Sequence, residues 1–368
     1  MARKLKSDKV LFLATLLLVL ASVVMVYSAS AAMAEFRFGS PYLFLVKQGM
    51  WAALGIAIMA VIMRVDYRVW RQPALIWAAL GFAALALVAV LFSAPINGTR
   101  RWFGIAGFGV QPSEVAKLAV IFFTAALLER RMNQVNDLRE TLVPLGIVIG
   151  VMTGLILLEP DFGTSACLVA TAGLMLFSAG LSLRYVAVAA GTGLLAGAAL
   201  IVISPYRLKR ILSFMSPEDD PLGAGFQLLQ SLIAVGSGGM SGRGLMGGLQ
   251  KLFYLPEPHT DFIYAVIAEE LGLIGATLTL VAFAVITWRG FRVAGRAPDR
   301  FGAFLAIGLT GMVAVQAFVN LSVVLGLVPT KGIPLPFVSS GGSSLLINLV
   351  GMGVLLNVSQ HASGAHER

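Results

Sequence analysis

The sequence predicts an all-α polytopic membrane protein of about ten transmembrane helices, with both termini cytoplasmic and a large extracytoplasmic loop between helices seven and eight. Three observations carry this. Of 368 residues, 58% are hydrophobic and 12% charged, whereas about a quarter of a soluble domain is charged. Mean hydropathy is +0.87. Apolar runs recur along the whole chain, each near the ~20 residues that cross a bilayer. Together they exclude a large soluble catalytic domain on either side.

The first run, 10–29, follows Arg3, Lys4 and Lys6 as a signal peptide would. Its length and the nine runs behind it favour an uncleaved anchor. Runs at 42–63 and 74–93 follow, and then 113–128, which carries Glu114 and Lys117 near its start. Runs 141–158 and 164–181 flank a polar turn, and 185–204 is the seventh. Residues 205–261 form the long loop, after which 262–288, 302–328 and 343–358 complete the set. The 40 glycines suit close helix packing in lipid. No repeat or linker divides the chain, so residues 1–368 are expected to form one membrane domain.

Charge sets the orientation. A net charge of +9 would point to nucleic acid in a soluble chain, but here the basic residues lie mostly between apolar runs and serve as topology signals. No nucleic-acid partner is expected. With the N-terminus inside, Arg3, Lys4, Lys6, Lys9, Arg64, Arg68, Arg71, Arg130, Arg131, Arg139, Arg184, Arg289, Arg292, Arg296, Arg300 and Arg368 are cytoplasmic. The short outer loops hold only Arg37, Arg100, Arg101 and Lys331. The positive-inside rule therefore places 205–261 outside. The single cysteine, Cys167, lies in an apolar run, which excludes an intrachain disulfide and thiolate metal sites.

Polar chemistry collects on the outer side, at Asn97–Glu114, Glu159–Thr164, Leu255–Asp261 and Pro329–Ser344. These segments form either one cavity facing the outer leaflet or four ordinary solvated loops. Charges inside spans are expensive and seldom kept without a role. Glu114 and Lys117, at i and i+3, can pair, as site residues or merely to tie helices together. Lys47 either faces the cavity or snorkels to the interface. Glu269 and Glu270 point in different directions and are expected to be mainly structural. Asp261 stands where the long loop becomes the eighth helix, so it is either a cap or a partly desolvated general base. Gly236–Gly244 reads as a flexible or closely packed loop, and Gly341–Ser344, opening the tenth helix, as a possible anion site.

Six ordered segments carry a resemblance. They are Asn97-Gly-Thr-Arg-Arg-Trp102, Gln111-Pro-Ser-Glu-Val-Ala-Lys117, Glu159-Pro-Asp-Phe-Gly-Thr164, Tyr206-Arg-Leu-Lys-Arg-Ile-Leu212, Lys251–Phe262 and Pro329-Thr-Lys-Gly-Ile-Pro-Leu-Pro-Phe337. On these the chain resembles the SEDS family (shape, elongation, division and sporulation) along nearly its whole length, and its division members more than its elongation members. The resemblance implies a peptidoglycan glycosyltransferase that polymerises lipid II at the outer face of the bacterial plasma membrane, in septal wall synthesis. Asp261 matches the family's catalytic aspartate. Lys47, Arg100, Arg101, Glu114, Lys117, Asp161, Lys331 and Ser343 are then expected to bind substrate, the cations holding pyrophosphate. A divalent cation, magnesium or manganese, is possible at Asp161 and Asp261. Expected partners are membrane lipid, a class B penicillin-binding transpeptidase and other division-machinery membrane proteins. One departure is Ser340, where the family usually carries tyrosine. A lipid II flippase and a noncatalytic scaffold are the competing functions, the former weakened by the lack of an evident inverted repeat.

Overall fold

The computed structural model describes residues 7–95, 99–105, 108–220, 223 and 225–361. Arg3, Lys4, Lys6 and Arg368 of the orientation argument, and Asn97 and Gly98 of the first family segment, lie outside the described residues. Twelve helices follow in chain order: α1 (Lys9–Phe38), α2 (Leu43–Ile62), α3 (Pro73–Val90), α4 (Pro112–Arg130), α5 (Val143–Leu158), α6 (Phe162–Ser178), α7 (Leu183–Ile203), α8 (Pro205–Met215), α9 (Phe226–Ser237), α10 (Ile263–Gly295), α11 (Arg300–Val324) and α12 (Gly342–His361). Between α3 and α4, β1 (Phe103–Ile105) and β2 (Phe108–Val110) pair antiparallel.

Ten of these helices stand at the ten expected positions. Eight are long and apolar enough to cross a membrane: α1, α2, α3, α5 with the turn before it, α7, α10, α11 and α12. The other two are α4, which carries Glu114, Lys117, Glu129 and Arg130, and α6, which has 17 residues. α4 is enclosed by its neighbours, whereas α6 keeps one face, with Val169 and Phe177, exposed. α4 packs on α3, α6, α11 and α12, and α6 on α5 and α11. A helix surrounded by protein can retain an ion pair that would be too costly against lipid.

Two expectations are corrected. The first helix runs to Phe38 rather than 29, because Ala31–Glu35 is rich in strong helix formers and the helix stops only at Gly39, φ +69°. The segment 205–261 is not simply a loop. It contains α8 and α9, and α8 sets Leu208, Ile211, Leu212 and Met215 against Lys209 and Arg210, the pattern of an interfacial helix.

α10 is interrupted at Gly272, φ 65° and ψ −164°. The freed backbone groups are satisfied by the glycine-rich stretch after α9. Arg243 and Gly244 N–H donate to the carbonyls of Glu269 and Glu270 at 3.0 Å each, while Leu273 and Ile274 N–H donate to Gly239 and Met240 at 2.9 and 3.2 Å. A Cβ at Gly238, Gly242 or Gly272 would overlap backbone atoms. Of the two expected readings, Gly236–Gly244 is therefore the closely packed one. Glu269 and Glu270 are fully buried acceptors. Glu269 accepts from Leu249 N–H at 2.8 Å, and Glu270 binds Lys251 Nζ at 2.5 Å and Ser28 Oγ at 2.7 Å. They fasten the segment between α9 and α10 to α1 and α10.

The bundle closes where α12 lies against α2. Leu349 meets Gly55 and Ile62 meets Gly353. At the end of the bundle where α1 starts, Asn357 donates to Met63 O and accepts from Tyr67 N–H, both at 2.9 Å, and Asp8 N–H donates to Ser359 Oγ at 3.0 Å.

Candidate functional site

Asp261 ends the long segment between α7 and α10, just before α10. The N-cap of α10 is Phe262, and no side chain caps it. The Asp261 carboxylate is thus not spent on the helix end, which removes the capping alternative. It lies against Gly332, where a Cβ would fall 2.8 Å from Oδ2. Burial, and secondarily the charges of Glu257 and Asp161, push Asp261 up to about 7, opposed by Arg101 and Arg210. A carboxyl that titrates near neutrality is suited to exchange a proton with a hydroxyl.

Its neighbours are held by the stretch before α12. Ser339 Oγ donates to Thr260 O at 2.5 Å, and Ser340 N–H donates to His259 O at 2.9 Å. The His259 ring packs on Phe44 with centroids 4.7 Å apart. Burial lowers the His259 pKa, which favours the neutral ring. Position 340 thus contributes through its backbone.

Asp161 was expected to bind substrate or metal. It caps α6 instead, accepting from Thr164 N–H at 3.1 Å, Thr164 Oγ1 at 2.8 Å and Gln111 Nε2 at 3.1 Å. Its charge still reaches Asp261. Arg101 straps the turn before it, donating to Glu159 O at 2.8 Å and Pro160 O at 2.7 Å. Glu159 itself, fully buried, is pushed up to about 8 by burial and then by Asp161, against Arg101.

On α4, Lys117 pairs with Glu114 at 2.9 Å and donates to Gln316 Oε1 at 2.7 Å. Gln316 in turn donates to Pro334 O at 2.9 Å. The ion pair is thereby joined to the Pro329–Ser344 stretch. Lys331 lies over the Phe162 ring at 4.7 Å. Lys47 stands on α2 three residues after Phe44, which touches His259, and four before Trp51, which touches Gly342. Helical spacing puts it on the side facing these segments.

Two expected binders are placed elsewhere. Arg100 is exposed and donates to Leu91 O at 3.0 Å, so its guanidinium turns back to the end of α3 while its neighbour Arg101 turns toward the site. Ser343 accepts from Gln111 N–H at 3.2 Å and joins the starts of α12 and α4. The Trp51 indole covers Gly342, so the N-terminus of α12 is occupied by a ring rather than offered to an anion.

Three residues escaped the sequence reading. Arg210 on α8 donates to Thr330 O at 3.1 Å and bears electrostatically on Asp261. Glu159 stands two residues before Asp161 at the end of an apolar run, and nothing in the sequence marks its complete burial. Lys251 has only its place in the long segment between α7 and α10 to mark it, with no sign in the sequence of its buried partner Glu270. The donor set does not fit a protein-held divalent cation. Both Asp161 oxygens are already hydrogen-bonded, and no three His, Cys, Asp or Glu side chains cluster among the described residues.

A family model described as cell cycle protein, covering FtsW, RodA and SpoVE, matches residues 8–364. The stage V sporulation protein E of Bacillus subtilis (strain 168) is 44% identical, over 98% of this chain and 99% of its own. A probable peptidoglycan glycosyltransferase FtsW of Geobacter sp. (strain M18) is 43% identical, over 97% and 98%. Among solved structures, a chain of a peptidoglycan synthase complex studied for its coordination of polymerization and crosslinking superposes with a TM-score of 0.80 at 30% identity, over 97% and 99%. The rod shape determining protein RodA of Thermus thermophilus gives a TM-score of 0.72 at 27% identity, over 97% and 98%.

Proposed function

The chain belongs to the FtsW, RodA and SpoVE family of cell cycle proteins, and on that premise we propose that it is a peptidoglycan glycosyltransferase that polymerises lipid II with Asp261 as general base. The observation that carries the residue assignment is a half-buried carboxylate, uncommitted to helix capping, with a pKa near neutrality and with Arg101 and Arg210 bearing on it. The acceptor's sugar hydroxyl gives its proton to Asp261 as its oxygen bonds to the donor's anomeric carbon. The bond from that carbon to pyrophosphate breaks, and undecaprenyl pyrophosphate leaves with the electron pair. One carboxylate suffices, in contrast to the pair of a glycosidase. What the leaving group requires is positive charge; Arg101 and Arg210 bear on the position from two different segments, and the family resemblance adds Lys117 and Lys331. No step here depends on a metal.

We place the reaction at the outer face of the plasma membrane, in septal wall synthesis, a reading supported by the FtsW relatives and by the distribution of Lys and Arg. A class B penicillin-binding transpeptidase is the proposed partner, a reading supported by the structural neighbour from a peptidoglycan synthase complex studied for its coordination of polymerization and crosslinking. Other division-machinery membrane proteins and surrounding lipid complete the expected setting. The test is polymerisation of purified lipid II by purified protein, with and without the transpeptidase. Strands from wild type and none from folded Asp261→Asn are expected. An active wild type whose rate survives the substitution overturns the assignment of Asp261, and lipid II crossing a bilayer without strands under any condition would favour the flippase.

A further inference from the structure

We propose that Gln316 and Asn320, one turn apart on α11, are positioning residues that hold the Asp261 segment and the Lys331 segment in a single register above Lys117. This rests on the glycosyl-transfer reading. Asn320 Nδ2 donates to Asp261 O at 2.8 Å and to Ile333 O at 2.7 Å, so one amide bridges two segments that come from different loops. Four residues earlier, Gln316 donates to Pro334 O at 2.9 Å while its oxygen accepts from Lys117 at 2.7 Å. Both side chains are 1% exposed.

A buried amide in a membrane-spanning helix is costly unless its hydrogen bonds are made. Here the amide nitrogens of both are spent on loop carbonyls and Gln316 Oε1 on Lys117 of α4, while Asn320 Oδ1 is buried with no hydrogen-bond partner among the described residues. The carbonyl of Asp261 belongs to the residue whose carboxylate reacts, so tethering it fixes the Cα from which that short side chain projects. The Ile333 carbonyl lies one residue beyond Gly332, the floor against which the carboxylate rests. Asn320 therefore sets the carboxylate and its floor together. Gln316 sets the height of the same floor relative to the Lys117 ammonium.

Two substitutions test this in the full-length protein. Asn320→Leu is close in size and removes both donors. Gln316→Glu keeps an acceptor for Lys117 and removes the donor to Pro334 O. Small displacements of reacting groups are expensive, roughly 100-fold per ångström. Asn320→Leu is expected to lower kcat by about 10- to 100-fold with KM for lipid II within about 3-fold. The acid limb of its rate profile should also move below that of wild type. A loosened Asp261 is better hydrated, while Glu257, Asp161, Arg101 and Arg210, the charged groups facing it, are unaltered. Gln316→Glu is expected to lower kcat about 10-fold with the acid limb in place.

Hydrogen exchange supplies a readout that needs no turnover, since Asn320→Leu should speed exchange in 258–262 and 332–339 together. Folded Asn320→Leu with wild-type kcat, pH profile and exchange overturns the proposal, as does a loss confined to KM. If Asn320→Leu does not fold, wild-type kcat in Gln316→Glu overturns it. A wild type that forms no strands defeats the glycosyl-transfer reading instead, and the exchange measurement then still decides the tether.

Discussion

Gly332→Ala probes the site at its tightest point. A Cβ there would lie 2.8 Å from Asp261 Oδ2 and 3.6 Å from Cγ, against an ordinary contact of 3.4–4 Å. The oxygen must therefore withdraw by about 0.6 Å, the gap between 2.8 and 3.4 Å. The carboxylate is the end of a short side chain and can turn, at a cost of roughly 0.5–1.5 kcal/mol for a moderate departure from its rotamer. Gly332 itself is exposed and has no positive φ, so alanine should fit the backbone and slightly restrict the unfolded chain. Stability should hardly change. Catalysis should suffer, because a displacement of 1 Å costs about 100-fold and 0.6 Å therefore on the order of 10-fold or more. The assay is single-turnover polymerisation of lipid II at saturating substrate, with thermal unfolding in the same detergent. A variant with unchanged melting and kcat would refute the placement of Asp261 against Gly332. Equal losses of stability and rate would mean that the backbone had moved instead.

Asp261 and Glu159, held at about 7 and 8, are both raised above an unfolded value near 4. The folded state therefore binds more protons, and stability is lost as pH rises from about 4 toward 8. Activity runs the other way, increasing through about pH 7 as Asp261 ionises; Glu159→Gln should flatten the fall in melting temperature, and an unchanged slope would contradict its burial as an acid. Lys251→Met leaves Glu270 unpaired, at a cost of about 3–5 kcal/mol for a broken buried pair. Lys251→Met/Glu270→Gln should recover part of that loss in thermal unfolding, and no change in either variant would deny the pair a structural role. Arg101→Ala should reduce polymerisation at least 10-fold by freeing the turn of Glu159 and Pro160 and removing a charge beside the pyrophosphate, an effect of the order of one lost charged hydrogen bond, whereas Arg100→Ala should stay near wild type. The reverse ranking would sink the assignment of the two arginines.

The helices were legible because a bilayer imposes one length on every apolar run. Where that constraint lapses, the sequence was less informative. Ala31–Phe38 continues α1 through a stretch too mixed to register as apolar, and α8 and α9 lie inside a segment defined only by its polarity. No proline announces the break at Gly272; it arises because the Gly239–Gly244 backbone supplies the missing hydrogen bonds. At the site, Asp261 stood out by its position before a span. Asp161 precedes a helix and bonds Thr164 three residues on, but an aspartate there fits a cap and a site residue equally well from sequence. Arg100 and Arg101 are adjacent and chemically identical, so only the hairpin geometry separates them. Gln316 and Asn320 did leave a trace, two amides at i and i+4 within an apolar run, but their partners are carbonyls remote in sequence.

The packing of α12 on α2 also bears on how the protein is made. Synthesis proceeds from the N-terminus, so α2 enters the membrane long before the helix that covers its Gly55 face. Until then lipid fills that face, and Met63 O and Tyr67 N–H wait for Asn357. Ser339, Ser340 and Ser343, which fasten His259, Thr260 and Gln111, arrive in the same final stretch. A nascent chain arrested after α11 would carry Asp261 in the membrane without the contacts that fix its surroundings. A chain ending after α11 is therefore expected to form no glycan strands from lipid II.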